Sequence, residues 1–169
     1  MRLAISTFLF LLASISSGCD NNTPETSNMT GIDLKTFSIN GVAIGDLAPA
    51  NVQNLAGVEI ELEGENLDSL FVTLDEYKGN FLSSGEAITV STKTSPKTIE
   101  QLFGTPFWED SSDGELIMFY EYRAGSIEIQ FEFPDSNQLG YITMAKNGVL
   151  SDPDQRKSYG VEKPWPPSD

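Results

Sequence analysis

The chain has 169 residues, with 25 acidic and 10 basic side chains and a net charge of −15. Such a charge repels nucleic acid and anionic headgroups, so no nucleic acid partner is expected. Histidine is absent and Cys19 is the single cysteine, which excludes the usual transition-metal sites and removes the commonest general base. We therefore expect no cofactor and no metal.

Residues 1–18 have the parts of a secretory signal peptide. Arg2 supplies a positive charge, an apolar run extends from Leu3 to Ile15, and small residues then precede Cys19. The run is shorter than the roughly 20 residues that span a bilayer. Cys19 after these small residues resembles the lipobox of bacterial lipoproteins, in which the signal is removed and the cysteine carries lipid. The alternative is an ordinary signal peptide with an incidental cysteine.

The lipobox resemblance implies a protein of the bacterial cell envelope, anchored to a membrane and facing the periplasm. Asp20 resembles a signal for retention in the inner membrane, but the choice between inner and outer membrane stays open. Removal of residues 1–18 takes one arginine from the net charge of −15, which leaves −16. The mature protein would therefore be strongly acidic.

Beyond Cys19, composition divides the chain into three parts. Residues 19–35 are polar and predict a flexible tether. A domain is predicted over residues 36–146, and residues 147–169 form a proline-rich tail. Trp165 in this tail is predicted to fold back on the domain, and the alternative is a free anchor for a partner.

The domain contains two similar units, at about residues 37–80 and 81–146. Phe37 to Ile44 aligns with Phe81 to Ile88 at an offset of 44, and Val52 to Gly57 aligns with Ile99 to Gly104 at an offset of 47. Two collinear blocks separated by a small insertion are typical of an internal repeat.

Each unit is predicted to contain a short helix followed by strands. Ser95 is a candidate N-cap, Pro96 suits the first helical position, and Gly104 suits the end of the helix. The earlier copy of this helix would begin at Pro49 and end at Gly57. Alternating or apolar runs predict strands at 58–63, 70–74, 116–122, 126–133 and 139–144. The predicted fold is α+β, with short helices packed on an antiparallel meander, as a tandem repeat of one helix-plus-strands unit.

Three strings in the second unit resemble a known family. They are TIEQLFGTPFW from Thr98, FYEYR from Phe119 and SIEIQFEF from Ser126. This pattern resembles the SmpA/OmlA/BamE lipoproteins, small accessory parts of the outer-membrane protein assembly machine. The doubling resembles the beta-lactamase inhibitory proteins, which have the same architecture in tandem. The resemblance implies the fold; it transfers no functional residue except the lipidated Cys19.

Acidic side chains on two predicted strands are the main candidates for partner binding. One strand carries Glu59, Glu61 and Glu63, and the other carries Glu128 and Glu132. They would form an acidic patch for a basic partner, and the alternative is a solvated face. The acidic segment 109–115 resembles a calcium-binding loop in composition, but the spacing of its acids does not match an EF-hand and favours a polar turn.

These observations favour a lipid-anchored, non-catalytic protein-binding or scaffold module, with a role in envelope assembly. One alternative is an immunity or inhibitor lipoprotein that neutralises a toxin or enzyme. Another is a carboxylate-based hydrolase, although no single pair stands out among the 25 acids.

Overall fold

A computed structural model describes residues 30–52, 54–135 and 137–167, without the side chain of Asn51. The signal peptide, Cys19 and most of the predicted tether lie outside the described residues. The strands, in chain order, are β1 (Ile32–Asp33), β2 (Ser38–Ile39), β3 (Val42–Ala43), β4 (Val58–Glu63), β5 (Asn66–Thr73), β6 (Phe81–Ser83), β7 (Glu86–Ile88), β8 (Trp108–Asp110), β9 (Leu116–Tyr122), β10 (Ile127–Phe133) and β11 (Tyr141–Lys146). The helices are α1 (Pro96–Phe103) and α2 (Pro153–Ser158), with 3-10 turns at Ala50–Val52 and Val149–Ser151.

The larger sheet has six antiparallel strands in the order β4-β5-β11-β10-β9-β8. Its centre is the predicted meander β9-β10-β11, and β11 continues the sheet by pairing with β5 of the first unit. The predicted α+β class is therefore confirmed, and the two halves of the domain share one sheet.

The smaller sheet has the order β3-β2-β1-β6-β7 and joins two hairpins through β1. The hairpin turns are Asn40-Gly41 and Ser84-Gly85, and all four residues have positive φ, as type I′ turns require. β1 pairs antiparallel with β2 and parallel with β6. Buried Asp33 adds side-chain bonds, since its carboxylate accepts N–H groups from Lys35 and Thr36 and from the second turn.

One cluster of buried side chains joins both sheets and α1. The large sheet contributes the β10 residues Ile129 and Phe131, and α1 contributes Ile99; all three are fully buried. Phe103 at the end of α1 packs against Phe131, with 5.1 Å between the ring centroids. This side of the large sheet is therefore its inner face.

The predicted second helix is confirmed, whereas its earlier copy is only the 3-10 turn Ala50–Val52. Ser95 caps α1 because its Oγ accepts the Thr98 N–H. At the offset of 47, Ala48 occupies the position of Ser95, and an alanine side chain cannot accept that hydrogen bond. The two units therefore differ in their helices, and a tandem repeat of one helix-plus-strands unit is not evident in the structure.

The ordered region extends beyond both predicted boundaries. Ile32 and Leu34, assigned to the tether, are fully buried. Residues 147–167, assigned to the tail, form a 3-10 turn, α2 and an extended stretch that packs on the large sheet. No helix within the described ranges is long and apolar enough to cross a membrane.

Candidate partner-binding face

The face of the large sheet that points away from the core carries four of the five candidate glutamates on β4 and β10. Strand register places the side chains of Glu59 and Glu61 on this outer face together with those of Glu128 and Glu132. The face has two halves. The covered half, on β8, β9 and β10, lies under residues 147–167, and the open half consists of β4, β5 and β11.

Aromatic contacts hold residues 147–167 on the covered half. Tyr159 packs edge-on against buried Phe119, with centroids 5.1 Å apart, and its carbonyl accepts the Trp108 indole N–H at 3.1 Å. Trp165 lies against the Phe107 ring and under the Arg156 guanidinium, 4.9 Å from the ring centroid. The half-buried Trp165 thus has ring and cation neighbours within its own chain, as the fold-back interpretation expects.

Glu128 does not lie on a wet surface, which corrects its assignment as a partner-contacting residue. Only 1% of this residue is exposed. Its carboxylate accepts the N–H groups of Val149 and Leu150, both at 2.9 Å, and the Gln130 side-chain amide. Alternation along β10 indicates the correct face, but the sequence did not reveal that residues 147–167 cover it.

Glu121 faces Glu128 directly across the β9-β10 ladder. Both of its carboxyl oxygens are buried, and no donor within the described ranges reaches them. Burial, followed by the hydrogen bond and the negative charge of Glu128, raises the pKa of Glu121 to about 10. Glu121 is therefore a neutral acid at pH 7, and its neutral form avoids placing two negative charges opposite each other on the paired strands.

The open half carries exposed carboxylates beside aromatic rings. Glu59 and Glu61 are exposed, and the Ser69 hydroxyl donates to Glu61 Oε2 at 3.1 Å. Phe71 and Tyr141 stack with their centroids 5.2 Å apart, and both are half-buried. An open groove of about 440 Å³ lies between this half and α2; its lining includes Glu61, Asp68, Ser69, Thr143, Asp152 and Gln155.

The two remaining candidate glutamates are partly engaged within the chain. Glu63 follows an irregularity in the β4-β5 register and forms an exposed ion pair with Lys146 at 2.7 Å. Glu132 is half-buried and accepts the Thr143 hydroxyl at 3.4 Å. Burial raises the pKa of Glu132 above its ordinary value, against the lowering effect of this hydrogen bond. Glu59 and Glu61 are thus the exposed candidates on the open half that form no ion pair within the described residues.

Two exposed apolar side chains lie at and beside the end of strand β4. Leu62 near the end of β4 is 40% exposed, and Leu47 is 65% exposed. Both line a pocket of about 330 Å³ together with Ala48 and Ala50. The pattern of strand β4 predicts its two faces but not this pocket, because Leu47 lies outside that strand and reaches it through an antiparallel bridge with Asn66 of β5.

The described ranges contain no group of three or more His, Cys, Asp or Glu side chains that could hold a metal ion. The acidic segment 109–115 ends strand β8 and connects it to β9, with which β8 pairs. It is therefore the polar hairpin turn that its spacing favours.

Comparison with known proteins identifies no relative: no family model, curated protein or solved structure matches the chain.

Proposed function

We propose that this chain is a lipid-anchored protein of the bacterial cell envelope that binds another protein through the open half and performs no catalysis. The observation that carries the proposal is the contrast within one sheet face. Residues 147–167 cover the half on β8, β9 and β10, whereas the half with Glu59, Glu61 and the Phe71–Tyr141 stack stays exposed or half-exposed.

A basic protein surface suits the chemistry of the open half. Aromatic rings supply contact area at low entropic cost, and they are enriched where binding energy concentrates. The surrounding carboxylates attract a positive partner over long range and set its orientation. The net charge of −16 that remains after removal of residues 1–18, from 9 basic and 25 acidic side chains, adds to this steering, which weakens as salt increases.

The proposed anchor is lipid on Cys19. Support comes from the sequence around it, with a charged start, an apolar run too short to span a bilayer and small residues before the thiol. A polar segment between Cys19 and the first buried hydrophobic side chain of the described residues, Ile32, would hold the domain away from the bilayer. We propose that the domain faces the periplasm. The proposal does not choose between the inner and the outer membrane, although Asp20 favours the inner one.

We also propose that the domain is a diverged duplication of a BamE-like unit, of the kind found in the beta-lactamase inhibitory proteins. The paired turns Asn40-Gly41 and Ser84-Gly85 support it, because they occupy equivalent positions in the aligned blocks and both have positive φ. Gly57 and Gly104 are a second equivalent pair with positive φ. The loss of the first helix would be the main divergence.

Crosslinking in cells tests the binding proposal. A photoreactive phenylalanine analogue replaces Phe71 in the open half, and a matched analogue replaces Lys97, which is exposed on α1. We expect one envelope protein to crosslink from position 71 and not from position 97. The crosslink should disappear when Glu59→Lys and Glu61→Lys are added. Equal crosslinking from both positions, or none from position 71, would contradict the proposal.

The anchor has its own test in the variant Cys19→Ala. We expect wild-type protein to be recovered in the membrane fraction with the mass of a chain that begins at a triacylated Cys19. The variant should keep its signal peptide or appear in the soluble fraction. An unmodified Cys19 in membrane-bound wild-type protein would refute lipidation.

The main alternative is an immunity or inhibitor lipoprotein. The identity of the crosslinked partner distinguishes the two functions, because the partner of an immunity protein would be a basic toxin or enzyme. For a carboxylate-based hydrolase, the specific observation is the facing pair Glu121 and Glu128. Substrate could not reach this pair in the described conformation, because the Glu121 oxygens are buried and Glu128 is already bonded by three donors. The geometry supports binding.

A further inference from the structure

Strand β4 is an edge of the large sheet, because β5 is its one partner among the described strands. The Gly57 carbonyl accepts the Thr73 N–H at 2.9 Å. Backbone groups in an antiparallel ladder alternate in direction. The backbone N–H and C=O of Glu59 and Glu61 therefore point towards β5, and those of Ile60 point outwards from the free edge of β4. Ile60 is half-exposed, and its backbone is open to another strand.

The two sides of this edge differ in chemistry. Glu59 and Glu61 project to the outer face, two residues apart, which is about 7 Å along a strand. Ile60 and Leu62 project to the inner side, where exposed Leu47 extends the apolar surface. A segment paired with β4 would therefore meet carboxylates on one side and leucine and isoleucine side chains on the other.

We infer that the partner binds as an extended segment beside β4, as a seventh strand with lysine or arginine at alternate positions and apolar residues between them. The inference rests on the proposed binding function and specifies the partner. Main-chain bonds to Ile60 would supply affinity, and basic side chains opposite Glu59 and Glu61 would supply specificity and register.

A second copy of this chain does not fit the same edge. Antiparallel pairing of two β4 strands about Ile60 would place Glu59 of one copy opposite Glu61 of the other on a shared face. Like charges directly opposite each other destabilise a sheet. The same carboxylates therefore discourage self-association and select a basic strand.

The probe is a short synthetic peptide of alternating lysine and valine, with a fluorescent label. The protein is the lipidated full-length product in detergent micelles. We expect the peptide to bind, with binding weakened by salt, and the Ile60 amide to become protected from hydrogen exchange. Two control peptides should not bind. One has glutamate in place of lysine, and the other has N-methyl groups along the backbone edge that would face β4. Unchanged exchange at Ile60 in the presence of bound peptide would overturn the inference.

Substitutions separate charge from backbone pairing. Glu59→Lys with Glu61→Lys should weaken peptide binding about tenfold or more, since two attractions become repulsions. The control variant Glu109→Lys with Glu115→Lys changes the net charge by the same amount. Its residues are exposed and lie near the opposite edge of the sheet from β4, so its effect on peptide binding should be much smaller. Equal weakening in both double variants would indicate general charge attraction and reject strand addition.

Ile60→Pro removes the outward N–H while the carboxylates remain. Proline is tolerated on a sheet edge where its nitrogen faces solvent, and peptide binding should weaken about tenfold. In cells, a crosslink from position 71 that survives Ile60→Pro would keep the proposed function and overturn the seventh strand. Absence of any crosslink from position 71 in the chain that retains Ile60 would instead contradict the proposed function itself.

Discussion

The covered and open halves of the outer face belong to one antiparallel sheet, and both carry glutamates that point away from the core. The glutamates of the two halves nevertheless differ in burial. Glu128 on the covered half is buried under three donors, whereas Glu61 on the open half is exposed and accepts a single hydroxyl. The difference lies in the 21 residues 147–167, and it shows that a polar strand face is wet or buried according to what the rest of the chain places on it.

The largest expected effect comes from removing an anchor of the covered half. Leu150 is fully buried in the 3-10 turn above β10. Leu150→Ala should lower the free energy of unfolding by about 2–5 kcal/mol, through lost burial and the cavity left behind. Leu47→Ala is the matched control on the 65% exposed residue and should change it far less. Urea unfolding of both variants measures the difference, and similar midpoints would contradict the covering role of residues 147–167.

A smaller effect is expected at the buried carboxylate itself. In Glu128→Gln, an amide nitrogen replaces one oxygen, so the N–H of Val149 or Leu150 loses its acceptor. We expect a loss of about 1–3 kcal/mol. Glu61→Gln on the open half should leave the unfolding midpoint nearly unchanged. If the two glutamines had the same effect in thermal unfolding, Glu128 would not be the hydrogen-bonded group described above.

The pair of Glu121 and Glu128 predicts a pH dependence. Glu121 has an ordinary pKa of 4.5 and a folded-state pKa of about 10, so between these values the native state holds a proton that the unfolded state releases. Its contribution therefore lowers stability as pH rises through this window, by at most about 1.4 kcal/mol per pH unit. Glu121→Gln should flatten that slope in urea unfolding at several pH values. A slope that is unchanged by the substitution would show that Glu121 is ionised in the native state.

The smallest effect is expected on the open half, at the ion pair of Glu63 and Lys146. Both side chains are exposed and strongly solvated, so solvent and salt screen their attraction. Glu63→Gln should produce no measurable change in the unfolding midpoint at physiological salt. A clear loss of stability would show that this end of β4 is less open than its exposure indicates.

Local signals predicted much of the fold. The alternation VEIELE marks β4 to its exact ends, and Ser95, Pro96 and Gly104 bracket α1. The turn at Ala124-Gly125, where both residues have positive φ, implies the facing of Glu121 and Glu128, since both lie at equal distances from it along paired strands. That pair could have been found by counting outward from the turn.

Other features depend on contacts that local patterns do not encode. Residues 147–167 are rich in proline and charge, and nothing in their periodicity indicates that Leu150 and Tyr159 reach β9 and β10. The buried state of Glu128 follows from those contacts alone. Likewise, the short strand β1 has two residues, too few for any periodic signal, and its place depends on residues about 50 positions away.

The position of β1 between β2 and β6 determines whether the chain can be divided into two folded fragments. β1 pairs on one side with β2 and on the other with β6, and the Asp33 carboxylate accepts N–H groups from Lys35 and from Gly85. A cut between residues 80 and 81 would separate these donors and leave β1 with half of its partners. The two proposed units are therefore interlocked, and neither fragment should fold until the other is added back.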